Sequence, residues 1–500
     1  MRAWPGVPPA SAAASGAVDA RAGAPEAAGP GAEPDERPGA PHPAVAGRAL
    51  LISTYDLGHA PFGLASPAAW LRDEGFDVTL NDMALDPLDE AAAARADLIA
   101  IHVPMHTAAR LATRLVPRLR TLNPRAHLAV YGLYAALGRD HLAALGVDSV
   151  VSGEFEASLA QLARRIAGSE APRGIAIGRE VVLDRLEFRV PDRTGLPAPG
   201  RYARVRLPDG RTRVAGYTEA SRGCRHTCRH CPIVPVYGGR FRIVPRAVVL
   251  EDIRRQVRAG ARHITFGDPD FLNGPGHALP LVRALHAEHP ELSYDVTIKI
   301  EHLIRHAAVL PELAATGCLF VMSAVEAVDD RILERLDKRH TREDFPRAAG
   351  LCRDAGIALH PTFVAFTPWT TPRGWLAMLD TIAGLGLIEN VAPVQLALRL
   401  LIPAGSRLLE LEEVRSIAGP FDPEALVHPW RHPNPRVDDL HAQAFAMVRA
   451  ASAAGEPRAA TFEALWSLAE RSAGRAANRV RAAASWQSAP VPYLTEPWYC

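Results

Sequence analysis

The chain has 500 residues, 48% of them hydrophobic, enough apolar material for buried cores in several domains of roughly 100 to 200 residues each. A formal net charge of +1 excludes a whole-chain field that would draw nucleic acid or an anionic membrane, and no apolar run approaches the roughly 20 residues that span a bilayer. No secretory signal opens the chain, and three of its six cysteines cluster at Cys224, Cys228 and Cys231, which is ligand spacing rather than a disulfide framework and points to the cytoplasm.

Residues 1–47 are Ala-, Gly- and Pro-rich with few large apolar side chains, so a disordered leader, or a start codon assigned too early, is expected there. From Arg48 short β-rich runs alternate with helical patterns: Ala49–Thr54, Phe76–Leu80, Leu98–Val103, His127–Tyr131 and Val147–Val151. Five strands with four intervening helices predict a flavodoxin-like, doubly wound parallel sheet over 48–170, with a ligand cleft at the strand ends near Tyr55–Gly63, His102–His106, Gly132–Tyr134 and Gly153–Glu156. A Pro- and Arg-rich linker over 171–213 follows. A second βα series over 214–405, with strands expected at 215–221, 263–268, 293–301, 318–326, 357–364 and 394–401, predicts a partial (β/α)6 barrel whose site lies at the carboxyl ends of its strands. A helical C-terminal region spans 406–500, interrupted by an irregular, Pro-broken stretch at His428–Pro435.

The chemistry concentrates after the first barrel strand, in Ser221-Arg-Gly-Cys224-Arg-His-Thr-Cys228-Arg-His-Cys231-Pro. Three thiolates on one loop can ligate three irons of a [4Fe-4S] cubane and leave the fourth iron open, whereas electron-carrier clusters normally complete four cysteines. The competing reading is zinc, with His226 or His230 as the fourth ligand. Gly267-Asp268-Pro-Asp270 follows the second expected strand; it is either a turn or a set of acceptors for an ammonium group. Glu301 and Glu326 end the third and fourth expected strands, where carboxylates can reach ribose hydroxyls or neutralise an arginine. Lys338, Arg339 and Arg399 are candidates for a substrate carboxylate, and His428, His432 and His441 read as loop residues rather than a metal site. Cys318 and Cys352 lie in apolar surroundings and read as small buried hydrophobes.

The C-x3-C-x2-C loop resembles the hallmark of the radical S-adenosylmethionine superfamily over roughly 214–405. That resemblance implies a [4Fe-4S] cluster on Cys224, Cys228 and Cys231, and S-adenosylmethionine held near Gly267, Asp268, Asp270, Glu301 and Glu326. It also implies a one-electron reductant of flavodoxin or ferredoxin type, and cleavage to a 5′-deoxyadenosyl radical. One departure is His230, where the family usually has an aromatic residue. The flavodoxin-like domain ahead of the barrel resembles the cobalamin-binding class of the superfamily. Its histidine motif D-x-H-x-x-G is not matched by Asp56, His59 and Gly63, which leaves two readings, a corrinoid bound without a lower histidine or a domain that kept the fold and lost the ligand. More closely, Phe62-Gly-Leu-Ala-Ser-Pro, Pro104-Met-His-Thr, Cys231-Pro-Ile-Val-Pro-Val-Tyr and Leu494-Thr-Glu-Pro-Trp-Tyr-Cys500 resemble the CUAEP/CCAEP-tail radical S-adenosylmethionine proteins. On that likeness Cys500 would belong to a redox-type tail cut short at a selenocysteine codon. Three function classes stay open: a radical enzyme on a small molecule or peptide, cobalamin-dependent methylation included; a maturase of a partner protein; and a non-catalytic iron–sulfur or zinc module.

Overall fold

The computed structural model describes residues 46–168, 181–474 and 491–495. The expected leader up to Val45 and the tail from Glu496 to Cys500 therefore lie outside the described residues, while Gly47, the last residue expected in the leader, opens the first strand.

The first sheet has five parallel strands, β1 (Gly47–Ser53), β2 (Phe76–Asp82), β3 (Leu98–His102), β4 (His127–Tyr131) and β5 (Ser149–Val151), in the order β2-β1-β3-β4-β5. This is the flavodoxin-type order, with its topological switch point between β1 and β3. Both faces are covered, so alternate residues of one strand enter different cores. Leu50, Ile52, Ile99 and Ile101 pack with Ala112, Leu115, Val116 and Leu119 of the helix His106–Leu122, while Leu51, Leu98 and Ala100 pack with Leu64 and Leu71 of the helix Phe62–Asp73 and Leu159 of the helix Glu156–Ala167. Such two-sided burial is why these strands read as continuous apolar runs.

The second sheet comprises β6 (Arg204–Arg206), β7 (Thr212–Thr218), β10 (His263–Phe266), β11 (Ser293–Thr297), β12 (Cys318–Glu326), β13 (Ala358–Phe363) and β14 (Tyr493–Leu494), in the order β13-β12-β11-β10-β7-β6-β14; β8 (Ser221–Gly223) and β9 (Phe241–Ile243) form a separate hairpin. β7 and β10 to β13 run parallel, as a half-barrel does, and the C-terminal helices Pro435–Ala454 and Arg458–Ser472 pack onto its helical layer through Val437, Leu440, Phe462 and Leu465.

Three details differ from expectation. β11 stops at Thr297 because His302 N and Leu303 N both donate to Lys299 O and start the helix Ile300–Arg305, so Glu301 lies in a first helical turn, not at a strand end. The segment 394–401 is a 3-10 turn with a single bridge, Phe366 to Arg399. Pro393 has no N–H to donate, and the Gln395 side chain, not a strand, accepts from Phe363 N at 3.1 Å. Part of the expected linker is built into the structure: β6 pairs with β7, and Val182 bridges Gly153, with Glu154 N donating to Val182 O at 2.8 Å.

Candidate active site

The cysteine loop leaves β8 through Gly223, whose φ of +72° and a Cβ position only 2.5 Å from Arg240 O admit glycine alone without strain. It is anchored on several sides. Asp268, two residues past β10, accepts from Ala220 N (2.8 Å) and Ser221 Oγ (2.5 Å); Arg229 N donates to Leu336 O, and Arg407 donates to Thr227 O at 2.7 Å. Both oxygens of Asp268 are thus engaged in fixing the approach to Cys224, and burial pushes its carboxyl up to about 7. Gly267 is required by packing, since a Cβ there would fall on the Tyr217 hydroxyl.

The three thiols are largely desolvated. Burial, joined by the charges of Cys228 and Cys224, pushes the Cys231 thiol up to about 12 against the pull of Lys338, and burial raises Cys224 in the same direction. Near the loop sit buried polar atoms without a hydrogen-bond partner: Asn273 Nδ2 beside Cys224, His230 Nδ1, and both ring nitrogens of His340. Glu326 ends β12 at a register shift with φ +68°, and its Oε1 takes His230 Nε2 at 3.0 Å and Lys338 Nζ at 3.3 Å. Burial opposes ionisation of Glu326, but Lys338 and His230 outweigh it and hold the carboxyl at about 2. Asp270 accepts from Leu272 N through Oδ1 and turns Oδ2 to His302 Nδ1 (2.7 Å) and His226 Nε2 (3.4 Å). Glu301 pairs with Arg305 and lies 3.6 Å from both Lys299 Nζ and His226 Nδ1. Arg339 lies 3.6 Å from Asp337, and Arg399 is taken up by Asp438 and stacks on Trp430. His428, His432 and His441 contact different neighbours, namely Gly419, Asn434 and Phe366. Cys318 and Cys352 are fully buried, with burial raising both thiols.

The strand ends of the first sheet face this loop. Arg222, two residues before Cys224, donates to Glu154 Oε2 (3.0 Å), Glu156 Oε1 (2.6 Å) and Oε2 (3.0 Å), and Glu219 Oε2 (2.6 Å), and lies over Phe62, Phe155 and Phe188. Burial, with the charge of Cys231 adding, pushes the phenol of Tyr134, in the turn after β4, above its ordinary value. At the switch point the register partners Ser53 and His102 are both buried and leave Ser53 Oγ and His102 Nδ1 unpartnered, while burial and Arg222 hold His102 neutral at about 3.

Residues 218–369 match the model of the radical SAM superfamily, and residues 48–163 match that of the B12 binding domain. The chain carries a B12-binding domain followed by a radical SAM domain. Among curated proteins it is 25% identical over 339 residues to a hopanoid C-3 methylase of Methylococcus capsulatus, covering 65% of this chain and 64% of that one. It is 27% identical over 186 residues to a tRNA-2-methylthio-N(6)-dimethylallyladenosine synthase of Desulfosudis oleivorans, covering 34% of this chain and 38% of that one. The chain thus spans less than two thirds of the length of these relatives. Among solved structures, the radical S-adenosylmethionine methyltransferase TsrM of Kitasatospora setae aligns with a TM-score of 0.56 at 20% identity, over 68% of this chain and 71% of that one. The cobalamin-dependent radical enzyme OxsB aligns with a TM-score of 0.64 at 14% identity, over 79% and 66%. These likenesses bear out the B12-binding fold, the half-barrel and the helical C-terminal region.

A radical SAM domain implies a [4Fe-4S] cluster and S-adenosylmethionine, and the residues fit both. Three adjacent desolvated thiols need a cationic partner to ionise, and the unpartnered atoms of Asn273, His230 and His340 are suited to a polar cosubstrate. The B12-binding domain fits a ligand at its switch point, where Ser53 and His102 carry unpartnered polar atoms. Sequence reasoning missed Arg222 and Asn273, whose partners lie far along the chain, and His340, whose ring nitrogens have no hydrogen-bond partner. A weak signal existed for His226 and His302: histidines interleave with the cysteines, and one follows Glu301 directly.

Proposed function

We propose that this chain is a radical SAM enzyme that couples S-adenosylmethionine to cobalamin-dependent methyl transfer. The observation that carries this reading is the apposition of the two domains' strand ends: Arg222, two residues before Cys224, is bonded to Glu154 and Glu156, which follow β5. When bound, the cluster would supply one electron to the sulfonium of S-adenosylmethionine, and cobalamin would supply a methyl carrier. Cys224, Cys228 and Cys231 would hold the cluster. Glu326, with His230 and Lys338 on it, would line the cosubstrate, with backbone groups of 267–270 nearby. Asp268 would act through the loop, by fixing Ala220 and Ser221.

The fold likeness to methyltransferases and the 25% identity to a hopanoid methylase support this reading over a plain radical hydrogen abstraction. The substrate, whether small molecule, peptide or partner protein, and a flavodoxin- or ferredoxin-type reductant remain part of the proposal. So does a cytoplasmic location; no helix among the described residues is long and apolar enough to cross a membrane. The motifs at 62–67, 104–107 and 231–237 support a place among the CUAEP/CCAEP-tail proteins, and the genomic codon after Cys500 tests it.

The test is anaerobic reconstitution with iron, sulfide and hydroxocobalamin, followed by assay with S-adenosylmethionine and reductant. Retained corrinoid absorbance with formation of S-adenosylhomocysteine supports methyl transfer. 5′-Deoxyadenosine without retained corrinoid would reduce the reading to radical chemistry, and neither product would remove it.

A further inference from the structure

We propose that His226, Asp270 and His302 form a binding site for a divalent transition-metal ion, distinct from the iron–sulfur cluster. The three residues come from separate places: the cysteine loop, the turn after β10 and the helix Ile300–Arg305. Each is more than nine-tenths buried, at 7%, 1% and 5% exposure, and their ligand atoms all lie within 4.8 Å of one another. His302 Nδ1 is 2.7 Å and His226 Nε2 3.4 Å from Asp270 Oδ2, yet none of these three atoms has a hydrogen bond of acceptable direction. Three polar atoms converging in a buried space without aligned bonds are rare in a folded protein, because each has lost its water without replacement. A cation between them accounts for all three at once.

The surroundings suit an ion. Asp270 Oδ1 is already held by Leu272 N, which leaves Oδ2 as the ligand and fixes the carboxylate plane. On the far side of His226, Glu301 Oε2 lies 3.6 Å from Nδ1 without a bond to it, within reach of a small ring rotation that would let this carboxylate orient a metal-bound imidazole. Lys299 Nζ donates to Nδ1 at 3.1 Å, which leaves the ring proton on Nε2; a metal at Nε2 would displace that proton to Nδ1 and turn Lys299 to Glu301 Oε2, 3.6 Å away. Two imidazoles and one carboxylate are the donor set of zinc or ferrous iron, and three protein ligands leave at least one position for water or a substrate oxygen. The set contains no thiol, so it does not compete with the cluster for ligands.

The full-length protein, reconstituted without oxygen and freed of loose metal on a chelating column, would be incubated with Zn2+ and, in a separate arm, Fe2+. The expected result is one retained ion per chain beyond the cluster iron, lost in D270N and H302A while their iron–sulfur absorbance persists; the arm that retains metal identifies the ion. Co2+ in the wild-type protein gives a second readout independent of any variant: ligand-field bands without a sulfur-to-cobalt charge-transfer band. Failure to retain either ion in the wild type overturns the proposal and leaves a hydrogen-bonded His–Asp–His cluster. Undiminished retention in both variants, or a thiolate band with Co2+, overturns it by placing the ion elsewhere.

Discussion

Replacing Arg222 by methionine tests the join between the two domains. Arg222 is 6% exposed and makes three bonds to Glu154 and Glu156, whose side chains are 1% and 0% exposed, plus one to the partly exposed Glu219. Methionine keeps part of the packing against Phe62, Phe155 and Phe188 but leaves two carboxylates buried without a cation. Removing one partner from a buried pair costs about 3–5 kcal/mol. The loss is capped because the carboxylates can take up protons; burial already raises Glu154 despite Arg222. A chain of several domains need not unfold in one step, so the urea midpoint of the first cooperative transition is the quantity to follow, by circular dichroism across pH 6 to 8. The triple variant R222M/E154Q/E156Q should recover most of the loss, since neutral amides no longer demand a counter-charge. An unfolding free energy for that transition in R222M within about 1 kcal/mol of wild type, or a triple variant no more stable than R222M, would refute the argument that this ion cluster holds the domains together.

Changing any of Cys224, Cys228 or Cys231 to alanine should abolish the reconstituted iron–sulfur signal, while Cys318→Ala, buried away from the loop, should keep it; electron paramagnetic resonance of the reduced protein decides. Glu326→Gln should preserve the cluster but weaken S-adenosylmethionine binding by roughly tenfold to a hundredfold, the worth of a charge-assisted bond, and unchanged affinity by equilibrium dialysis would make Glu326 purely structural. Asp268 should impose a pH dependence on stability. Its folded value of about 7 lies above the ordinary 3.8, so the folded state binds the extra proton. Stability therefore falls as pH rises across that window, by up to about 4 kcal/mol at ~1.36 kcal/mol per pH unit. Asp56 and Asp82, raised by burial to about 7 and about 6, add slopes of the same sign, while the buried histidines His102, His340, His360 and His441, held at about 3 to 4, add slopes of the opposite sign below pH 6.5. The quantity to follow is therefore the difference between wild type and Asp268→Asn by urea titration, which should shrink as pH rises from about 4 to 7, and a difference constant with pH would refute the assignment.

Much of this architecture could be read from residue pattern alone. The five runs from Ala49 to Val151 alternate with helical stretches, and burial on both faces makes a parallel strand apolar throughout, so the doubly wound sheet was legible. The cysteine spacing was legible too, because a cluster-binding loop is local chemistry written in consecutive residues. The third barrel strand was misjudged at its end, where a helix starts after Lys299, and the sixth expected strand is not a strand, since a proline at 393 opens a 3-10 turn there.

What the pattern could not supply was which polar side chains meet. Asp268 and Asp270 are two residues apart, yet one clasps the backbone leading to Cys224 and the other faces two histidines, a division set by the turn after β10. Arg222 and Glu156 stand 66 positions apart, and only the docking of one sheet's ends on the other makes them partners. Local propensity and periodicity act over a few residues and so are inscribed in the chain. The pairing of buried charges depends on the packing of whole domains, which no window of neighbouring residues contains.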